Sequence, residues 1–441
     1  MVGNLLGLIV GGLRDDGSGM AKKRRLVQPG DVVASVEEDE QPSRFPPPVL
    51  PGEPIARIGL DLKAWKPAHE VLDYVTVVPT IFPDFDRRST VGGFPVRRVH
   101  TISGPTHQGK SAFILGLIES FLRAGHVAGY IDAEHATGLE FTDYLLSTPK
   151  HPNFYARRPE NYEQTIDDVD ELIAGIQLVR EGKKAHGKRT DRDYKPAVPG
   201  MPDLCSLLAV DSITKLVPKR EIKNMLESAD KATKGEAGMR RAAVNQTWLD
   251  SVVPRLHLAN MAFVLVAQER EEVDSSGGGF GTKFSEDLAF HVKGGSGIQF
   301  DASMLMRITK RQAYYDVDAA NGSGRDEEVQ KIRKGLPIVG WTHKIRIRKS
   351  KVGAMESSYT DCYFHMSTGR GMAPPGFDTV RDYVMVATDL GVIVGEQYRQ
   401  WGRKKFHGKR KLLEHLYANE ADRLALFAET RAAIEKEAGR G

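Results

Sequence analysis

The sequence predicts an α/β protein whose mostly parallel sheet is covered by helices on both faces. Three observations support this fold class: short apolar runs, helical patterns between them, and a composition of 40% hydrophobic and 27% charged residues that suits a packed soluble core. The predicted strands are Val99–Ser103, His126–Asp132, Ser206–Asp211 and Met261–Gln268. Continuous apolar strands alternating with helices are typical of a parallel sheet that is buried on both faces.

The helices between these strands are predicted from their periodicity. Residues 110–124 repeat apolar side chains at helical spacing directly after a glycine-rich turn. Residues 162–180 form a more polar amphipathic pattern, and a long helix is predicted to end near Ala259. Two long segments interrupt the alternation, a basic insertion at 180–200 and a glycine-rich loop at 272–297. Loops of this length in a compact domain are usually functional or disordered.

We predict three regions along the 441 residues. Residues 1–72 form a poorly ordered segment or linker, because charged residues, Gly, Ser and Pro dominate 14–53. Residues 73–375 form the core, and residues 376–441 form a small α-rich lobe that carries a basic cluster. The apolar run near the N-terminus has about ten residues, whereas a bilayer-spanning helix needs about 20, so no membrane association is expected.

The net charge and the cysteine content limit which binding surfaces and metal sites the protein can have. The formal net charge is only +4, so a nucleic-acid surface would have to be local. The two cysteines, Cys205 and Cys362, lie far apart and have no zinc-ligand spacing. We therefore expect buried free thiols and a reducing compartment, the cytoplasm.

A phosphate-binding loop is predicted at "GPTHQGKS", which fits G-x-x-x-x-G-K-[ST] between a strand and a helix. Its residues are Gly104, Pro105, Thr106, His107, Gln108, Gly109, Lys110 and Ser111. The glycines let backbone N–H groups point at phosphate oxygens, and the helix N-terminus adds partial positive charge. Lys110 would reach the outer phosphates of ATP, and Ser111 would ligate Mg²⁺. The alternative is an ordinary glycine-rich turn.

Two carboxylates are predicted beside this loop. Asp211 ends the strand "LLAVD", where it can support Mg²⁺ through water, although a strand-ending Asp can also cap a helix. Glu134 in "YIDAEHA" follows the second strand at the same sheet edge. A glutamate there can orient and deprotonate the attacking water, and the alternative is a solvated loop carboxylate.

Several motifs together resemble the bacterial RecA recombinase family. They are "YIDAEHA", "AVDSITKLVPKREI", "FVLVAQERE", "GGSGIQFDASMLMRI" and "IRIRKSKVGA", in the family's order from about Val75 to Val394. The resemblance implies a RecA-like P-loop ATPase core in which Gln268 senses the γ-phosphate and Phe141 stacks on adenine. It also implies that Lys349 and Lys351 reach the ATP of the adjacent subunit.

The sequence departs from the family pattern at several positions. The loop interior reads "THQ", Gly138 replaces an aspartate, and insertions at 180–200 and 316–340 are atypical. No polymerisation helix is recognisable before Asp73, so residues 1–72 are only a candidate for that element. These departures indicate a divergent member, and we expect a phage-encoded one.

A DNA-binding function is also predicted from the charge pattern of two loops and the C-terminal lobe. Cations are scattered through loops near 221–241 and 269–297, which suits sequence-independent binding of single-stranded DNA. A basic stretch at 399–411 could gather double-stranded DNA. The alternative for each is a solvated charged face.

The sequence thus predicts an ATP-dependent recombinase that polymerises as a helical filament on single-stranded DNA and hydrolyses ATP. Two alternatives stay open at this stage. One is a ring-forming motor of the same core, such as a DNA helicase, and the other is a non-catalytic ATP-bound DNA scaffold.

Overall fold

The computed structural model describes residues 75–147, 150–182, 200–227, 234–271, 290–292, 296–315, 337–352 and 360–439. These residues belong to one compact unit, Leu72–Gly441. The predicted domain boundary at residue 376 falls inside this unit and stays a prediction. Residues 1–74, most of both insertions and most of the 269–297 loop lie outside the described residues.

Fifteen strands are numbered here in chain order through the described residues. They are β1 (Val77–Val78), β2 (Phe94–Pro95), β3 (Arg98–Gly104), β4 (Val127–Asp132), β5 (Phe154–Arg157), β6 (Ser206–Asp211), β7 (Met261–Glu271), β8 (Phe290–Val292), β9 (Met304–Tyr315), β10 (Ile338–Ser350), β11 (Thr360–Ser367), β12 (Gly376–Phe377), β13 (Ile393–Val394), β14 (Tyr398–Trp401) and β15 (Lys404–His407).

The α-helices are numbered in the same way. They are α1 (Pro83–Arg88), α2 (Lys110–Arg123), α3 (Leu139–Leu145), α4 (Tyr162–Arg180), α5 (Lys219–Glu227), α6 (Lys234–Val252), α7 (Ser296–Asp301), α8 (Thr379–Asp389), α9 (Gly408–Ala418) and α10 (Glu420–Glu437).

The central sheet has the strand order β12-β11-β10-β9-β3-β7-β6-β4-β5, and β8 pairs with β7 outside this path. From β9 to β5 neighbouring strands are parallel, whereas β10, β11 and β12 continue the sheet as antiparallel strands. The predicted mostly parallel, helix-covered sheet is confirmed. The antiparallel extension was not predicted.

Helices cover both faces of the sheet because alternate strand residues point to opposite sides. In β6, Leu207 and Ala209 pack in the cluster that contains helix α2. Leu208 and Val210 pack in a second cluster, which contains residues of α4 and α6. All four of these side chains are buried.

Most predicted core elements lie close to their observed bounds, and β6 and α4 match them at both ends. The helix predicted to end near Ala259 ends at Val252, so this prediction was wrong. A short 3-10 turn, Val253–Arg255, follows it and contains Pro254. Proline has no backbone N–H to continue an α-helix, which explains the earlier end.

The C-terminal region contains helices α8–α10 around a third buried cluster, but it also contains a three-stranded sheet, β13-β14-β15. The sequence analysis missed this sheet. Arg431 of α10 donates to the buried carboxylate of Asp86 in α1, which ties the C-terminal helices to the start of the described core.

Within the described residues, no helix is both long enough and apolar enough to cross a membrane. Cys205 and Cys362 are both free and buried, as predicted.

Candidate nucleotide-binding site

The predicted phosphate loop connects β3 to α2 at the carboxyl edge of the sheet. Gly104 ends β3 with φ 144°, and Gly109 precedes α2 with φ 94°. A Cβ atom at Gly104 would lie 2.4 Å from the carbonyl oxygen of Ile308. Both positions therefore require glycine, for backbone conformation and for space. The resulting loop delivers the chain to a helix N-terminus, where backbone N–H groups are free of intrahelical acceptors.

The rear of the loop is supported by His343 of β10, a residue that the sequence analysis missed. His343 Nδ1 lies 3.0 Å from the carbonyl oxygen of Gln108. Its buried ring stacks on Phe364 with centroids 4.6 Å apart. A Cβ atom at Gly109 would come within 2.5 Å of the same nitrogen. No local sequence pattern indicates this contact, because His343 lies 235 residues beyond Gln108.

Lys110 is the first residue of α2, and its Nζ donates to the carbonyl oxygens of Gly104 and Pro105, at 2.9 Å and 2.7 Å. Burial lowers the pKa of Lys110, while the nearby carboxylates of Asp211 and Glu134 oppose that shift. A cation held by loop carbonyls lies where outer phosphates of a bound triphosphate would need it.

Ser111 and Asp211 form an oxygen donor pair beside the loop. The Ser111 hydroxyl donates to Asp211 Oδ2 at 2.6 Å, and the Tyr130 hydroxyl donates to the same atom at 3.0 Å. Burial raises the pKa of Asp211, and the two hydroxyl donors oppose this shift. A hydroxyl and a carboxylate next to a phosphate loop are the oxygen ligands that Mg²⁺ prefers, so these residues fit the ion.

Glu134 and Gln268 meet at the same sheet edge. Gln268 Nε2 donates to Glu134 Oε1 at 2.9 Å, and the Ser212 hydroxyl donates to the same oxygen at 2.8 Å. In the parallel pairing of β3 with β7, Gln268 lies opposite Gly104. The structure thus brings the predicted water-activating glutamate and the predicted γ-phosphate sensor together next to the phosphate loop.

A buried ion pair anchors the strand at the residue after Gln268. Arg307 Nε lies 2.9 Å and 3.0 Å from the two carboxylate oxygens of Glu269, whose Oε1 also accepts from the Ser103 hydroxyl at 2.8 Å. The side chains of Glu269 and Arg307 are 3% and 6% exposed. Since successive strand residues point to opposite faces, this pair holds β7 from the face opposite to Gln268.

Other predicted site residues differ in exposure and position. Pro105, Thr106 and His107 are exposed within the loop. Phe141 is 37% exposed on α3, which packs against α2, and no described hydrogen bond or ring contact joins it to the phosphate loop. Its proposed stacking on adenine stays a prediction.

Lys349 and Lys351 lie at the opposite edge of the sheet from the phosphate loop. Lys349 pairs with Leu305, which pairs with Thr101 of β3, three residues before Gly104. At about 3.3 Å per residue, this places Lys349 about 10 Å down the strand from the loop, two strands away. Its Nζ donates to the carbonyl oxygen of Gln299 at 2.8 Å. No described hydrogen bond or ion pair joins either lysine to residues 104–111 of its own chain.

The predicted DNA-binding loops are only partly described. In the first, α5 and the start of α6 are helical, and Lys223 is exposed. Of the second, the described parts are the end of β7, the strand β8 that pairs with it, and the first residues of α7. Lys283 and Lys293 lie outside the described residues.

The C-terminal basic stretch lies on the β14–β15 hairpin and the start of α9. Lys404 pairs with Asp422, and Arg410 and Lys411 both pair with Glu414. Exposed pairs of this kind contribute little to stability, so they leave the lysines and arginines able to exchange partners. Arg403 and Lys405 are also exposed here.

Comparison with known proteins agrees with this geometry. A family model described as the RecA N-terminal domain matches residues 68–179. The chain is 27% identical to protein RecA of Thermus aquaticus over 371 residues, which cover 82% of this chain and 85% of that protein. It is 24% identical to protein RecA of Bifidobacterium breve over 350 residues, covering 79% and 71%.

The fold defines the class of this protein, an α/β protein with a RecA-like core, and the predicted phosphate loop lies at the carboxyl edge of its sheet. Within that class, the proteins to which the chain is similar are RecA proteins, and its low identity to them indicates divergence. None of these findings tests a phage origin, which stays a prediction.

Proposed function

We propose that this protein is an ATP-dependent recombinase that polymerises on single-stranded DNA and promotes homologous pairing and strand exchange. The observation that carries the proposal is the convergence of the phosphate loop, Asp211, Glu134 and Gln268 at one sheet edge. The similarity to RecA proteins supports a recombinase over other uses of this core.

In the proposed reaction, residues 104–111 hold the triphosphate of ATP through backbone N–H groups, and Lys110 neutralises the outer phosphates. Ser111 and Asp211 would hold Mg²⁺, which supplies charge neutralisation of the phosphate oxygens when bound. The Ser111 hydroxyl can keep donating to Asp211 while its oxygen lone pair faces the ion. Glu134 would accept a proton from the attacking water.

Gln268 couples this reaction to DNA binding. It contacts Glu134, and β7 continues without interruption from Gln268 to Glu271, where the second loop begins. If the Gln268 side chain exchanges its hydrogen-bond partner when the γ-phosphate leaves, the end of β7 would shift. This shift would move the first residues of the loop proposed to bind single-stranded DNA. The basic stretch at 399–411 would bind double-stranded DNA through its phosphates.

The position of Lys349 and Lys351 supports assembly into a filament. They lie at the sheet edge opposite the chain's own nucleotide site, so the nucleotide that they would reach is that of a neighbouring copy. Lys349 also contacts Gln299 of α7, the helix that follows the second loop. Lys349 would thereby contact the nucleotide of one subunit and, through α7, respond to DNA bound at the second loop of its own subunit.

Replacing Lys349 with alanine is expected to lower DNA-stimulated ATP hydrolysis by about 10- to 100-fold, since a hydrogen bond to a charged group contributes about 1.5–3 kcal/mol. Because the lysine acts on the neighbour's nucleotide, mixing K349A with K110A protein should restore part of the activity. In that mixture, some subunit interfaces combine the intact phosphate loop of a K349A subunit with the intact Lys349 of a K110A subunit. The measurement is phosphate release by each variant alone and by the mixture, and no restoration would contradict the arrangement.

The proposed function is tested by measuring ATP hydrolysis with and without single-stranded DNA, then D-loop formation with homologous duplex. We expect DNA to stimulate hydrolysis, and electron microscopy with ATP to show helical filaments. Closed rings would favour a helicase-type motor. Binding of DNA and ATP without hydrolysis would favour the scaffold alternative.

A further inference from the structure

Tyr130 contacts the candidate magnesium site from inside the sheet. It lies on β4, next to β6, where Asp132 is paired with Asp211. The Tyr130 side chain is 3% exposed, and its ring packs in the core cluster that contains α2. Its hydroxyl reaches Asp211 Oδ2 at 3.0 Å, the same oxygen that accepts from Ser111. The carboxylate is thus held from two sides by hydroxyl groups on different elements.

The direction of this hydrogen bond is set by its partners. An ionised carboxylate accepts only, and a tyrosine hydroxyl carries one hydrogen, so Tyr130 donates to Asp211. Its oxygen then accepts from the Thr137 hydroxyl, 2.9 Å away. The result is a chain of two hydrogen bonds in which Thr137 donates to Tyr130 and Tyr130 donates to Asp211.

The start of this relay is itself fixed. The Thr137 backbone N–H donates to Asp132 Oδ2 at 3.1 Å, and Arg158 Nε donates to the same oxygen at 3.1 Å. The Ala136 N–H donates to Asp132 Oδ1 at 3.2 Å. The Asp132 carboxylate therefore closes the turn after β4 and sets the position of Thr137. A hydroxyl held in this way orients Tyr130 better than solvent would.

We infer that Tyr130 is a positioning residue for Asp211, holding the carboxylate in the orientation that the Mg²⁺ of a bound nucleotide requires. The inference rests on the proposed function, because it concerns the same site. Outer partners that orient a metal-supporting ligand typically change metal affinity or activity by about 10- to 100-fold when they are removed. Tyr130 acts through Asp211 and has no contact of its own with substrate in this assignment.

The test is the Mg²⁺ concentration that gives half-maximal binding of a fluorescent ATP analogue, measured for the wild-type protein and Y130F. We expect Y130F to need about tenfold more Mg²⁺. Y162F is the matched control: Tyr162 is 4% exposed, and its hydroxyl has no hydrogen-bond partner within the described residues. Its Mg²⁺ titration should overlay that of the wild type. Thermal unfolding without Mg²⁺ shows whether Y130F is folded.

A second variant, T137V, keeps the test independent of the folding of Y130F. Thr137 is only partly buried, and its loss removes the donor that orients the Tyr130 hydroxyl. We expect the half-maximal Mg²⁺ concentration to rise by about two- to threefold, at the low end of outer-partner effects. If wild type, Y130F and T137V titrate identically, the role of Tyr130 is refuted while the site stands. If the wild type shows no Mg²⁺-dependent nucleotide binding, the proposed function itself fails.

Discussion

Replacing Lys110 with alanine is expected to reduce ATP hydrolysis by about 10²–10³-fold, to the background of a standard phosphate-release assay, as loss of one charge-stabilising donor does in other enzymes. The Lys110 ammonium lies between the loop carbonyls of Gly104 and Pro105 at the start of α2. No other lysine or arginine contacts these carbonyls in the described hydrogen bonds. The loss should also abolish the rise in melting temperature that ATP gives the wild type.

Lys150→Ala is the control for this experiment, because Lys150 is exposed in the turn before β5. It should hydrolyse ATP at the wild-type rate. Melting temperature without nucleotide separates loss of function from loss of fold. Hydrolysis by K110A within a few-fold of wild type would show that the loop is an ordinary strand–helix turn.

Replacing Glu134 with glutamine is expected to slow hydrolysis by about 10²–10⁴-fold, the usual contribution of a general base. The amide keeps an oxygen that can accept from Gln268 and Ser212, so the contacts around residue 134 can persist. ATP binding should be retained, and filaments on single-stranded DNA should last longer because ATP is not consumed. Phosphate release and electron microscopy over time measure the two effects.

Glu140→Gln removes an exposed carboxylate from the first turn of α3 and should leave both properties unchanged. If E134Q hydrolysed ATP normally, the assignment of the water-activating group would be wrong. If it neither bound ATP nor formed filaments, Glu134 would have a structural role instead.

The parallel half of the fold could be predicted because each of its elements has a local signal. Ser206–Asp211 is a continuous apolar run, and Tyr162–Arg180 has a helical period along its whole length. The site residues Lys110, Ser111 and Glu134 follow strands of this half, and Asp211 ends one. Parallel strands bring their carboxyl ends to one edge. The sequence was therefore sufficient to predict which of these residues meet at that edge.

The antiparallel half was less predictable. Ile338–Ser350 carries five Lys, Arg or His residues, so its strand pattern is weak by composition, and its pairing with β9 is non-local. The contact of His343 with Gln108 depends on that pairing. The Tyr130–Asp211 bond similarly depends on the register of β4 against β6. Neither contact follows from spacing along the chain.

The C-terminal sheet β13-β14-β15, which the sequence analysis missed, has a turn signal in the sequence, but this signal lies within a run of basic residues. Trp401 pairs with Lys404, which leaves a two-residue turn of Gly402 and Arg403. Gly402 has φ 55°, as tight hairpin turns require. The sequence analysis predicts a small α-rich lobe that carries this basic cluster, and it predicts no strand there. A glycine between two short aromatic-containing runs is typical of a β-hairpin, whatever the charge of the residues around it.

The opposite placement of Lys349 and the phosphate loop has a consequence for symmetry. A twofold dimer would join like edges, so neither lysine could meet a nucleotide. In the proposed filament, head-to-tail stacking would satisfy both surfaces, and an open chain of copies stacked in this way has unlike ends. At one end, the nucleotide of the terminal copy would face no lysine, and at the other end Lys349 would face no nucleotide. We therefore expect subunits to add and to leave at different rates at the two ends.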